Sequence, residues 1–147
     1  MSRESLIVLG GMVAVVIALV VVRFAYEDVA DMFYRPSAEE LAQGEQAIGE
    51  LQKAAESADP EDLIAAVAPC KQGSRLTEAC VTVTPKWGTA NNRQQMATDL
   101  WKSWASICTS RHLAEKPAEC RLELRTDTGE TVGGSGEDDG SRIWVRE

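Results

Sequence analysis

Cys80-Val81-Thr82-Val83-Thr84 and Arg121-Leu122-Glu123-Leu124-Arg125 decide the fold of this chain. Val81 and Val83 in the first, and Leu122 and Leu124 in the second, occupy every other position. Successive side chains of a strand point to opposite faces, so each stretch predicts a strand with one buried face. Between them, Met96, Leu100, Trp104, Ile107 and Cys108 recur at steps of three and four, the period of a helix buried along one side, with Trp101 flanking it. Asn91 or Asn92 can cap that helix, which is expected to run to about Leu113. Downstream, Asp127-Thr128-Gly129 reads as a turn, Glu130-Thr131-Val132 as the start of a return strand, and Ile143-Trp144-Val145 as a short terminal strand. The expected order is β-α-β-β(β), an α+β domain with one long helix on a short sheet.

Working outward, Gly133-Gly134-Ser135-Gly136-Glu137-Asp138-Asp139-Gly140-Ser141 is the one low-complexity stretch and reads as a mobile loop. Four cysteines and no CxxC motif point to disulfides rather than to a zinc or thioredoxin-like site. Cys70 and Cys80 bracket the turn-like Lys71-Gln72-Gly73-Ser74, and Cys108 and Cys120 bracket the reversal from helix to strand. Four cysteines allow three pairings; 70–80 with 108–120 is favoured because each bridge closes a local turn, at about 2–3 kcal/mol apiece.

Ahead of this domain, Ser37-Ala38-Glu39-Glu40 is a capping box that opens a helix to about Ser57. Leu41, Ile48, Leu51 and Ala55 make a thin apolar stripe along it, with Gly44 and Gly49 inside the helix. Asp59-Pro60-Glu61-Asp62 resembles a second helix start, carrying Leu63, Ile64 and Val67 as far as Pro69. Residues 36–69 therefore read as a helical stalk, and 70–147 as a disulfide-stapled α+β periplasmic domain.

Residues 1–35 read as a transmembrane anchor and juxtamembrane helix. Leu6–Val22 is an uninterrupted apolar run, about 26 Å of helix at about 1.5 Å per residue. Extension through Phe24, Ala25 and Tyr26 reaches about 30 Å, enough to span. Arg23 snorkels to the interface, and Phe24, Tyr26, Phe33 and Tyr34 form an aromatic belt at the membrane–water boundary. A cleaved signal peptide needs a small-x-small site, and Val22-Arg23-Phe24 and Asp28-Val29-Ala30 are poor ones. The positive-inside count is nearly even, so the cysteines set the orientation: N-terminus cytoplasmic, domain periplasmic, in an inner (cytoplasmic) membrane. Gly10, Ala14 and Ala18 lie four apart, a small-residue ridge on which another helix can pack closely; ordinary Ala and Gly content of a Val-rich span is the alternative.

Charge is unevenly spread. The chain carries −8 overall, with eleven acids against Arg35 and Lys53 between residues 27 and 62. An acidic membrane-proximal segment stands off anionic headgroups. The middle of the chain is basic but diluted by acids, which argues against nucleic acid.

No motif for chemistry holds together. His112 is the only histidine, four residues after Cys108; a shared helix face would suit a metal or a Cys–His pair, but a disulfide at Cys108 removes that option. Glu137, Asp138 and Asp139 offer hard oxygens, yet match no calcium-loop spacing. No cofactor, metal or catalytic residue is assigned.

Arg35-Pro36-Ser37-Ala38-Glu39-Glu40-Leu41-Ala42-Gln43-Gly44-Glu45 is similar to the lead-in of membrane-anchored c-type cytochrome domains. That family's CxxCH attachment motif is missing, so the resemblance implies no haem. What it implies is company: an energy-transducing membrane complex.

The function expected is therefore that of a non-catalytic accessory subunit of a larger integral-membrane complex, in contact with other membrane subunits and the lipid bilayer. The alternative is an anchored periplasmic module binding a small ligand or peptide through an exposed Trp87 or Trp144; an anchored enzyme ranks last. Intact mass of the mature protein checks the anchor: the expected value includes the first residues, and loss of residues 1–24 or more would make this a free periplasmic protein.

Overall fold

The computed structural model describes residues 17–19, 21, 36–70 and 76–147. The expected membrane helix falls almost wholly outside them, as do Gly10, Ala14, Arg23, Phe24, Tyr26, Phe33 and Tyr34. Ala18 is described, and is helical and exposed. Among the described residues, no helix is long and apolar enough to cross a membrane.

Pro36–Glu147 form one compact unit, with no division at residue 70. Its elements are α1 (Ala38–Ala58), β1 (Ile64–Pro69), β2 (Glu78–Val83), α2 (Arg93–Ser110), β3 (Arg121–Arg125), β4 (Thr131–Ser135) and β5 (Ile143–Val145). Short 3-10 turns at Pro85–Thr89 and Pro117–Glu119 lead into α2 and β3. The five strands form a mixed sheet in chain order. β2 and β3 run parallel, and the other neighbouring pairs are antiparallel. The result is a small α+β domain in which both helices share a single apolar core with one face of the sheet.

α1 begins as its sequence dictates. Ser37 Oγ accepts the Glu40 amide N–H at 3.2 Å and Glu40 Oε2 accepts that of Ser37 at 2.8 Å, a complete capping box. Gly44, Ala47, Leu51 and Ala55 form the buried stripe, with Ile48 packed beside it. Leu41 continues the stripe by period but is 46% exposed. Gly44 sits against Leu76: a Cβ there would lie 3.0 Å from Leu76 Cδ2. Arg111, at the far end of α2, fastens the two helices. One of its amino groups donates to Gln43 Oε1 (2.9 Å) and Gln46 Oε1 (2.7 Å), the other to the Glu50 carboxylate. That hydrogen bond from Arg111 holds the Glu50 carboxyl below its ordinary pKa.

The helix expected over residues 59–69 is a strand instead, so the segment read as a helical stalk contributes both a helix and an edge of the sheet. Asp59 does not cap a new helix. Its carboxylate accepts the amide N–H groups of Leu63 (2.8 Å) and Ile64 (2.7 Å), four and five residues on, rather than those two or three residues on. Asp62 takes a left-handed conformation (φ 59°) that breaks any helix there. The chain then extends, and antiparallel pairing with β2 satisfies the backbone groups along one side of it.

The centre of the core is the crossover from β2 to β3. Met96, Ala97, Leu100, Trp104, Ala105 and Cys108 of α2 are buried, and Ile107 and Trp101 are partly so. The helix ends at Ser110, three residues short of the expected Leu113, and His112 reverses the chain at φ 58°. Asn92 holds the N-cap position without a side-chain cap bond. Trp104 is fully buried, and its Nε1 donates to the Thr77 carbonyl at 2.9 Å, just before β2. Trp101 Nε1 donates to the Cys120 carbonyl at 2.8 Å, just before β3. One helix is thereby hydrogen-bonded to the starts of both parallel strands. Cys108–Cys120 closes the same crossover covalently, and Cys70–Cys80 joins the end of β1 to β2. Trp87, considered above as an exposed contact residue, is only 3% exposed and belongs to the core.

Replacing Trp104 with Ala is expected to cost on the order of 3–5 kcal/mol, by loss of a filled core volume. Trp104→Phe keeps most of that volume and loses about 1 kcal/mol with the indole hydrogen bond. Trp101→Ala, at a half-buried site, costs less than Trp104→Ala. Denaturant unfolding checks the order; equal effects at 101 and 104 would place the buried face of α2 elsewhere.

Candidate functional site

Strand register assigns every sheet residue to a face. Val67, Val81, Leu124, Gly133 and Val145 stand opposite one another across the five strands, a row facing the helices. The neighbouring row, one residue over, is Ala68, Cys80, Glu123, Gly134 and Trp144. Since side chains alternate, this row faces away from the helices. No helix among the described residues packs on that side. A groove of about 440 Å³ lies there, lined by Cys70, Arg121, Glu123, Thr131, Gly134 and Trp144 among others.

Gly134 lines the groove. It lies between Glu123 and Trp144 in the row and contributes no side chain. It also cannot be replaced: φ is +148°, and a Cβ would lie 2.5 Å from the Leu122 carbonyl oxygen. Trp144, at the outer strand, is 41% exposed. Thus an indole and a glycine that cannot carry a side chain share the groove's lining.

Glu123 is the polar centre of the face. Its Oε1 accepts Arg125 Nε (2.8 Å) and Thr131 Oγ1 (2.8 Å), and its Oε2 accepts an Arg125 amino group at 2.7 Å. This two-pronged arrangement raises the Arg125 pKa further above its ordinary value, through the hydrogen bonds to Glu123. Arg121 points its guanidinium at the carbonyls of Gly136 and Glu137, holding the β4–β5 loop against β3. Ser135 Oγ accepts the Leu122 amide at 2.9 Å. Within the loop, Asp139 Oδ1 accepts the Ser141 hydroxyl (2.6 Å) and amide (2.9 Å), which lowers the Asp139 pKa.

The expected site residues now have places. Cys70 and Cys80 lie at the open face; Cys108 and Cys120 are in the core. Cys80 Sγ is 3.8 Å from Glu123 Oε2, and the two sulfurs with Glu123 fall within 4.8 Å of one another. That trio has ligand-like spacing, but both sulfurs are bonded to each other and offer no thiolate. Cys108 is likewise bridged, and His112 is exposed beyond the helix end, so the Cys108–His112 pair does not form. The segment read as a mobile loop over 133–141 is in part β4: Gly133, Gly134 and Ser135 are strand residues. Glycine in a strand marks a close backbone approach, a signal available in the sequence but overridden by the Gly and Ser content. Glu123, Arg125 and Thr131 were legible only as the solvent-side positions of strands.

No protein-family model matches the chain, and no curated protein or solved structure matches it.

Chemically, the groove offers an aromatic ring, hydrogen-bonding groups already held by their neighbours, and no nucleophile paired with a base. Gly134→Ala is expected to cost at least about 2 kcal/mol from strain and clash. Gly49→Ala, in an exposed helical position with nothing within 4 Å of the new Cβ, is expected to stabilise by about 0.5–1 kcal/mol. Thermal unfolding of the two variants reads both signs; a neutral Gly134→Ala would show that the β3–β4–β5 register differs.

Proposed function

We propose that this chain is a non-catalytic accessory subunit of a larger integral-membrane complex, tethered by one N-terminal helix and docking through its folded domain on other subunits. The observation that carries the reading is the sheet face turned away from α1 and α2, where exposed Trp144 borders the groove beside Gly134. A half-exposed tryptophan beside pre-ordered polar groups is the composition of a protein-binding surface, where aromatic anchors supply most of the energy. Two disulfides suit an oxidising compartment such as the periplasm. The similarity of Arg35–Glu45 to cytochrome lead-ins points to energy-transducing complexes as the class. One observation favours the second reading, an anchored module for a small ligand or peptide: a groove of about 440 Å³ falls within the range of small-ligand sites.

Mild detergent extraction, with sizing and mass spectrometry of co-purifying chains, separates the two. The accessory reading expects a particle of fixed composition. Trp144→Ala should weaken its association at least tenfold while leaving the fold intact. Replacing Gly10 and Ala14 together with Leu should preserve membrane insertion and impair helix packing, reducing co-purification. A monodisperse monomer from the unaltered chain would contradict the accessory role and leave the small-ligand module.

A further inference from the structure

The sheet has two edges, and they are treated differently. At β5, a strand of three residues, Gln94 Nε2 donates to the Ile143 carbonyl at 3.0 Å and Arg93 donates to the Arg146 carbonyl at 3.4 Å. Side chains of α2 thus cover that edge. At β1, nothing comparable is present among the described residues. Ile64-Ala65-Ala66-Val67-Ala68-Pro69 is twice as long and uncharged, and Ala65, Ala66, Ala68 and Pro69 are exposed. No side chain among the described residues hydrogen-bonds to it beyond Asp59 at the Ile64 amide. Having β2 on one side only, β1 turns a series of backbone N–H and C=O groups outward. Proteins ordinarily block such an edge with lysine, proline or a covering segment; here Pro69 blocks only the last position.

We propose that β1 is a docking edge for an extended segment of a different polypeptide, which adds to the sheet as a sixth strand and carries a lysine or arginine at the Ile64 end. Charge complementarity selects this occupant. Beside Ile64–Val67, against the end of α1, is a notch of about 170 Å³ whose lining includes Glu56, Asp59 and Asp62. Asp59 is committed to the backbone, and Asp62 lies 3.7 Å from Lys86 at an exposed position. Glu56 is exposed and accepts only Gln52 Nε2. The lining holds three carboxylates and no base, so a cation on the incoming strand gains there while an acid is repelled. A second copy is a poor occupant: β1 carries no basic side chain, and two chains of charge −8 repel. Backbone pairing would supply affinity and the notch would supply selectivity, as in strand addition generally. Trp144 lies on β5 at the opposite edge of the sheet, and the groove's lining reaches only Cys70, past the end of β1, so a Trp144 variant and a Glu56 variant test the two readings separately.

The test uses the full chain in detergent micelles, isotope-labelled, with two probe peptides: capped Lys-Thr-Val-Thr-Val-Thr and capped Glu-Thr-Val-Thr-Val-Thr. The proposal expects the lysine peptide to shift the amides of residues 64–68 and to slow exchange of those that point away from β2 at least tenfold, with at least fivefold weaker effects from the glutamate peptide. Glu56→Lys, a substitution at an exposed helix position, should reduce or reverse that preference. No perturbation of 64–68 by either peptide overturns the proposal. Equal response to both peptides overturns the charge selection. Protection of β1 that rises with protein concentration in peptide-free samples makes a second copy the occupant and overturns it also.

Discussion

The parallel pairing of β2 with β3 is the constraint on which the rest of the domain depends. Parallel neighbours cannot be joined by a tight turn, so the chain must leave the sheet, cross over and return at the same end. α2 is that crossover. Its register is fixed by Trp104 at the Thr77 carbonyl and Trp101 at the Cys120 carbonyl, one contact for each strand start. The Thr77 carbonyl also accepts the Arg121 amide at 2.9 Å, so helix and both strands meet at one acceptor. Cys108–Cys120 then limits how far the helix end can move from β3. With α2 on one side of the sheet, α1 packs beside it, and the core forms on that side.

A core on one side leaves the polar side chains of β3 and β4 and the Trp144 indole on the other face. The row through Cys80, Glu123 and Gly134 to Trp144 is the direct consequence of β-sheet alternation. Its side chains are already ordered by one another: Glu123 by Arg125 and Thr131, Arg121 by the β4–β5 loop. On the proposed reading, such pre-ordered groups would lose little conformational entropy when a partner docked. Trp144 then adds apolar area where such area matters most.

Much of this organisation was legible because it is local. The capping box at Ser37, the strand alternation around Val81 and Leu122, the α2 face at Met96, Leu100 and Trp104, and two disulfides closing short turns all follow from neighbours in sequence. What was not legible depends on partners distant in sequence. Ile64–Pro69 is a short apolar run that fits either a helix turn or a buried strand, and only pairing with β2 decides it. Leu41 has the right period but is exposed. Gly133 and Gly134 have the composition of a loop, and become a strand because the chain on either side passes too close for a side chain. The open face required the relative register of five strands, and no single strand contains that information.

The most direct test of this account is a set of interstrand nuclear Overhauser contacts in the labelled chain. The account predicts parallel-type contacts between backbone protons of residues 79–82 and 122–125, with the Trp104 indole proton near Thr77 and the Trp144 ring near Gly134. Antiparallel contacts between the same strands, or a Trp144 ring against Leu100 and Trp104, would contradict it.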